Sequence, residues 1–209
     1  MTNRSGRARG TNLTRTAFFA APLCMLAYGL VRLSDPDHGP GAAWTAGHLA
    51  LTASVLLFGA VFLGLYRMAT VAAGGGPGGG RLSAAAATAT GLAGVLAVTA
   101  QAVIDLVVGF RATDRAGMDQ LFEQIQSQPG VQPAVYTVGP LLFYVGLLWL
   151  TVQLAAQRRI GAWRPALVLL GTAAPAVSLD LIPLGALLFA AALTPLARAL
   201  PAPGTAWAA

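Results

Sequence analysis

The sequence predicts an all-α, polytopic membrane helix bundle: about six transmembrane helices, both termini in the cytoplasm, and a short amphipathic helix in the outer loop between spans three and four. Three observations carry this. Of 209 residues, 56% are hydrophobic and only 10% are charged, where an ordinary soluble domain has about 25% charged residues. Apolar runs recur at the length needed to cross roughly 30 Å of hydrocarbon, about 20 residues rising 1.5 Å each. The basic residues, all thirteen of them arginine, gather at alternate ends of those runs.

Residues 1–15 form a basic tail with Arg4, Arg7, Arg9 and Arg15, followed by span one at 16–33. A basic stretch before an apolar one is also the pattern of a signal peptide. No small-x-small site closes the run, and Ala21, Pro22 and Leu23 do not give Cys24 the small neighbour a lipoprotein site needs, so it reads as a retained span. Span two, 43–68, opens WTAGHLA and carries His48 about one turn inside its start. The segment AAGGGPGGGR, 72–81, has the composition of a flexible tether. It lacks the Gly-Lys-Ser/Thr ending of a phosphate loop.

Span three is 83–110. In the loop after it, Met118, Leu121, Phe122 and Ile125 recur at i, i+3, i+4 and i+7, one face of a helix. Asp114 is its expected N-cap, and Pro129-Gly130 ends it. Such a helix either rests on the membrane interface or acts as a lid over the outer end of the bundle. Span four is 134–157. Spans five and six, 163–178 and 183–199, are short and flank PAVSLDLIP, so they read as two tilted spans or a shallower hairpin. Residues 200–209 complete the chain as a cytoplasmic tail. No inverted repeat relates the halves.

Orientation follows from arginine. With the N-terminus inside, ten arginines face the cytoplasm and only Arg32, Arg111 and Arg115 face outward, a clear positive-inside bias. Absent lysine and frequent alanine point to a GC-rich bacterial genome, and hence to the bacterial plasma membrane. The net charge of +6 belongs to these topology signals. The arginines form no stripe that nucleic acid would need, so no nucleic-acid partner is expected.

Ionisable groups inside spans are costly, and that makes them functional candidates. His48 and Asp105 each lie about five residues from the outer end of their spans, roughly 7 to 8 Å deep. Asp180 sits at the turn between spans five and six. Gly94, Val98, Gln101 and Asp105 share a stripe of span three. The candidate ligand-binding set is therefore His48, Gln101, Asp105 and Asp180, with Tyr136, Tyr144 and Trp149 as aromatic walls. If the protein is an enzyme, Asp105, His48 and Asp180 are the catalytic candidates.

Composition excludes several chemistries. Only His38 and His48 are available as imidazoles, too few for a two-haem bundle and poor for zinc, and without lysine no Schiff base can form. No metal or cofactor is expected. DPDHGPG, 35–41, lacks the oxygens of a calcium loop and reads as a turn. Trp44 and Trp163 read as interface belt residues.

Three readings of the polar set remain. The pair pins spans two and three together; or it lines an outer pocket for a cation, a proton or a polar head group; or it performs acid-base chemistry, isomerisation or cyclisation, on a lipid or isoprenoid. The candidate functions are a small transport, sensing or accessory component built on the pocket, a membrane-embedded enzyme using the acid-base chemistry, and, separately, an interaction subunit docking through small-residue faces such as Gly91 and Gly94. Expected partners are membrane lipids, a lipid-like or small polar ligand, and a membrane-protein partner or second copy.

Overall fold

The computed structural model describes residues 4–72 and 79–200. Helix α1 is Arg4–Ser34, α2 Ala42–Ala72, α3 Gly79–Arg111 and α4 Arg115–Gln126. A π-helical turn, Gln132–Val138, runs directly into α5, Gly139–Ala156. Helix α6 is Trp163–Val177 and α7 is Ile182–Leu193, the latter flanked by 3-10 turns at Leu179–Leu181 and Thr194–Ala199. No strand occurs among the described residues.

Five stretches are long and apolar enough to cross a membrane: Asn12–Ser34, Ala42–Val71, Gly79–Arg111, Gln132–Ala156 and Leu179–Ala199. The remaining expected span is α6, with 15 residues, about 22 Å long. It pairs antiparallel with α7. Arg164 Nη1 donates to Ala192 O at 2.6 Å, and Gly171 faces Gly185 in the same register. The element ends also differ from the sequence expectation. The basic tail is already helical from Arg4, and the last linker residues, Gly79 to Arg81, open α3. The rest of that linker, 73–78, and the tail beyond Leu200 lie outside the described residues.

The helices close a ring in which α1 packs on α2 and α7, α2 on α3, α3 on α5, α5 on α6, and α6 on α7. At its centre Phe58, Phe143 and Phe189 meet edge to face, with ring centroids 5.1 and 5.9 Å apart, a favoured aromatic geometry. Outward, Leu49, Leu56, Leu63, Leu96, Leu141, Leu170 and Leu187 are exposed. An apolar surface this extensive belongs in lipid.

Close helix contact in a membrane relies on small residues. Gly94 lies on the Phe143 backbone, Gly91 lies under the Phe62 ring, and Gly146 faces Gly91. The α3 glycines therefore serve contacts inside the bundle and are not a free docking face. Two helix-interior prolines are absorbed in a similar way. Pro22 has no N–H to give Phe18 O, the carbonyl four residues back, and Thr194 Oγ1 donates to that carbonyl at 3.4 Å. Pro175 frees Gly171 O, and Gly185 packs against it so closely that an added Cβ would lie 2.7 Å away.

The end of the bundle that holds Ser34, Ala42, Arg111 and Asp180 is closed by α4, and it is the cap end below. Asp114 is the N-cap, its Oδ1 accepting from Gly117 N–H at 2.7 Å. Met118 is buried at 1% exposure, so α4 packs onto protein and does more than rest on an interface. Arg115 Nη1 ties α4 to the loop between α1 and α2 by donating to His38 O at 2.7 Å.

Candidate functional site

His48 and Asp105 meet at the cap end. His48 Nε2 lies 3.5 Å from Asp105 Oδ2, and the two residues are only 5% and 7% exposed. Helix periodicity brings Trp44 into the same place, one turn before His48. His48 Nδ1 lies 2.8 Å from Trp44 O, and the rings stack with centroids 4.1 Å apart. Thr52 Oγ1 donates to His48 O at 2.7 Å.

A carbonyl oxygen only accepts, so the Nδ1 contact makes that nitrogen the donor and leaves Nε2 facing the carboxyl group. A proton held between Nε2 and the carboxyl oxygen would make that contact attractive and the buried pair electrically neutral, which a low-dielectric bundle favours.

Trp44 also holds the backbone beneath Asp105, its Nε1 donating to Asp105 O at 2.8 Å. That approach requires Gly109, four residues beyond Asp105 on the same face. A Cβ there would meet Trp44 Cδ1, and Trp44 Nε1 at 2.6 Å. Gly109→Ala is therefore expected to displace the indole and lose that hydrogen bond, at a net cost of about 1 kcal/mol. The Trp44 indole N–H resonance, protected in the wild-type protein, should become exchangeable while the helical circular dichroism stays unchanged.

From the turn before α5 comes Tyr136, whose hydroxyl donates to Asp105 Oδ1 across 3.5 Å. It sits in the π-helical turn, for which Pro140 gives a local reason. Its ring would clash with Tyr136 O, and it has no N–H to donate there. The helix widens accordingly, and Gly139 N–H reaches Ala134 O, five residues back. Single π turns of this kind often occur at functional sites. Tyr28 of α1 closes a further side, its ring edge-on to His48 at 5.5 Å. Phe122 of α4 covers Trp44, with centroids 6.2 Å apart.

The other expected residues are placed as follows. Asp180 is 62% exposed at its side chain and pairs with Arg32 Nε at 3.7 Å. It approaches the site through that arginine and touches neither His48 nor Asp105. Gln101 is half-buried one turn below Asp105 and hydrogen-bonds neither member of the pair. Tyr144 packs on Phe143 at 5.4 Å, in the bundle core. Trp149 is thirteen residues beyond Tyr136, about 20 Å along the helix axis, and donates to Ser83 Oγ at 3.1 Å. Trp163 stacks on Arg164 at 4.6 Å and is exposed. No group of three or more His, Cys, Asp or Glu that could hold a metal ion occurs among the described residues. His38 sits in the left-handed region, with φ of 48°, and its Nδ1 lies 2.9 Å from Pro36 O. That is turn geometry.

Sequence reasoning missed Trp44 and Gly109. The signal was present: Trp44 precedes His48 by one turn, and Gly109 follows Asp105 by one turn. Comparison with known family models, characterised proteins and solved structures finds no match for the chain. Fold and site together define the class, a multi-span-capable all-α membrane helix bundle with a titratable pair buried near one end.

Proposed function

We propose that this protein is a proton-binding component of a bacterial plasma membrane, serving transport or sensing, with the His48–Asp105 pair as its proton site. The observation that supports this reading is the His48 Nδ1 contact with Trp44 O, which commits one ring nitrogen and leaves a single shared proton between Nε2 and the carboxyl group. The pair takes up a second proton when Asp105 becomes a carboxylic acid beside imidazolium. It gives up its own when neutral imidazole faces carboxylate. Each change places net charge in a buried site, and so bears on the contact between α2 and α3. The arginine bias places the cap end outside the cell, where external pH would act on it. Lipids surround the bundle in this reading, and a membrane-protein partner would receive the signal.

The enzymatic alternative is less well supported. The cavity beside His48 has a volume of 20 Å³, room for one water and far below what a lipid or isoprenoid chain occupies, and the larger open groove of 490 Å³ at the same end, lined by residues such as Thr45, Leu49, Gly109 and Phe110, presents no acid or base.

Full-length protein labelled with ¹⁵N-histidine and reconstituted in liposomes tests the proposal. Only two imidazoles contribute. The pair should titrate as a unit with two macroscopic steps, and Asp105→Asn should remove one proton from the total uptake. A His48 spectrum that is constant with pH and indifferent to Asp105→Asn would remove the proton-binding reading.

A further inference from the structure

The surface between the cap-end parts of α2 and α3 is grooved. The groove has a volume of 490 Å³ and is lined by Ala42, Thr45, Ala46 and Leu49 from α2 and by Gly109 and Phe110 from α3. The sequence accounts for its shape. The four α2 residues fall at i, i+3, i+4 and i+7, so three small side chains share one face of the helix. Gly109, opposite them, adds no side chain. Leu49 and Phe110 are 55% and 71% exposed, and they stand as walls on the two sides.

Depth along the helices determines what surrounds this groove. Its α2 residues belong to one stretch able to cross a membrane and its α3 residues to the next. From Ala42 to Leu49 the helix rises about 10 Å, or two turns, so the groove runs from the helix ends into the hydrocarbon region. No ionisable side chain lines it, and what it holds at that depth must be apolar.

The mouth is different. Arg111, the last residue of α3, follows Phe110 directly and is exposed. Arg32 and Arg115 at this end are paired with Asp180 and Asp119, whereas Arg111 has no ion pair or hydrogen bond among the described residues. Acids do not compete for it close by. The first turn of α2 contains none, and Asp114 is engaged as the N-cap of α4.

We infer that the groove holds one acyl chain of a phospholipid, with the lipid phosphate on Arg111. The guanidinium fork matches phosphate oxygens in pairs, and a phospholipid carries its phosphate where its chain enters the hydrocarbon. A helix of a second copy, about 10 to 12 Å across with its side chains, would fill 490 Å³ within about one turn, whereas the groove extends over two. A slender chain suits that shape. With no acid or base in the groove, the lipid is held and not transformed. Gly109 also carries the Trp44 indole, so the bound chain lies behind the α2 and α3 contact next to the buried pair. Its binding is independent of the proton site.

The test uses full-length protein in vesicles of phosphatidylglycerol with an equal amount of diacylglycerol, extracted in mild detergent and weighed by native mass spectrometry. The two lipids share their chains and differ in the phosphate. Wild-type protein should retain one phosphatidylglycerol in preference to diacylglycerol, and Arg111→Gln should cut that preference about tenfold, equivalent to about 1.4 kcal/mol. Ala46→Phe, at an exposed position, places a ring in the groove and should carry one lipid fewer than wild type at an unchanged melting temperature. Should Ala46→Phe unfold, the lipid preference of Arg111→Gln decides alone. The assignment is overturned if wild-type protein retains no phospholipid, if folded Ala46→Phe retains as much as wild type, or if Arg111→Gln keeps the full preference. A dimer mass that disappears in Ala46→Phe, with no lipid retained, would assign the groove to a second copy instead.

Discussion

Replacing Gly94 with valine is expected to abolish the folded bundle. A Cβ at this position would collide with the backbone nitrogen of Phe143 and lie 2.5 Å from its Cα. A side chain in the way could rotate, whereas a helix backbone has no such freedom, so α3 and α5 would have to separate. Their contact continues on either side, with Gly146 against Gly91 and Ala97 against Gly139. Separation would therefore open the whole α3–α5 seam. Van der Waals packing is the main force between helices in lipid, where burial of apolar surface contributes little. Overpacking a tight site costs about 1 to 3 kcal/mol, and a backbone collision belongs at or above the top of that range. Size-exclusion profiles and thermal melts in mild detergent should show aggregation or a collapsed melting temperature. Gly39→Ala is the matched control, because nothing lies within 4 Å of its Cβ. A wild-type melt for Gly94→Val would mean that the two helices are not in backbone contact.

The second large effect concerns the buried pair and has a distinctive non-additive form. His48→Leu removes the imidazole and leaves the Asp105 carboxyl group at 7% exposure, with only the long Tyr136 contact on its side chain. Breaking a buried ion pair by removing one partner costs about 3 to 5 kcal/mol, while replacing both partners with apolar groups is often neutral. His48→Leu should thus destabilise the bundle strongly, most of all at a pH where Asp105 alone would ionise. The double variant His48→Leu, Asp105→Leu should recover most of that loss, and it should take up no proton. Thermal melts of the two single variants and the double give the coupling energy directly. Recovery of stability without proton uptake would separate the pair's chemistry from its contribution to the fold. A double variant as unstable as the worse single one would make the pair a structural pin, the simplest of the readings available from the sequence.

Much of the architecture is legible in the sequence because the bilayer imposes one-dimensional rules. Length and hydropathy locate the apolar part of α1, Asn12–Ser34, together with α2, α3 and the α5 stretch to within a few residues. The i, i+3, i+4, i+7 pattern with Asp114 before it locates α4 and its N-cap. Helix ends are less legible. Nothing in the apolar pattern shows that α1 continues back to Arg4 or that glycines open α3, since tails outside the hydrocarbon carry no hydropathy signal. The shortness of α6 is visible, but its antiparallel register with α7 depends on Gly171 and Gly185 meeting across a proline-freed carbonyl.

The site is legible in part for the same reason. Depth along a helix axis can be counted in residues, and the count puts His48 and Asp105 at one level. Rotation about that axis, and the order of helices around a ring, cannot be counted in this way. Asp180 has the right depth and a different neighbour, Arg32. Trp149 lies on the right helix at the wrong height. Tyr136 is turned toward Asp105 by a π turn that depends on Pro140.

By itself the sequence determined the class of this protein, the five stretches long and apolar enough to span a membrane and the level at which its buried ionisable groups lie, because hydrophobic length and helical rise act along a single coordinate. Only the tertiary structure decided that His48 faces Asp105, that Trp44 and Gly109 hold the two helices at that point, and that the α3 glycines are used inside the bundle. Those facts depend on the azimuth of each helix, and azimuth is set by close packing among residues far apart in the chain.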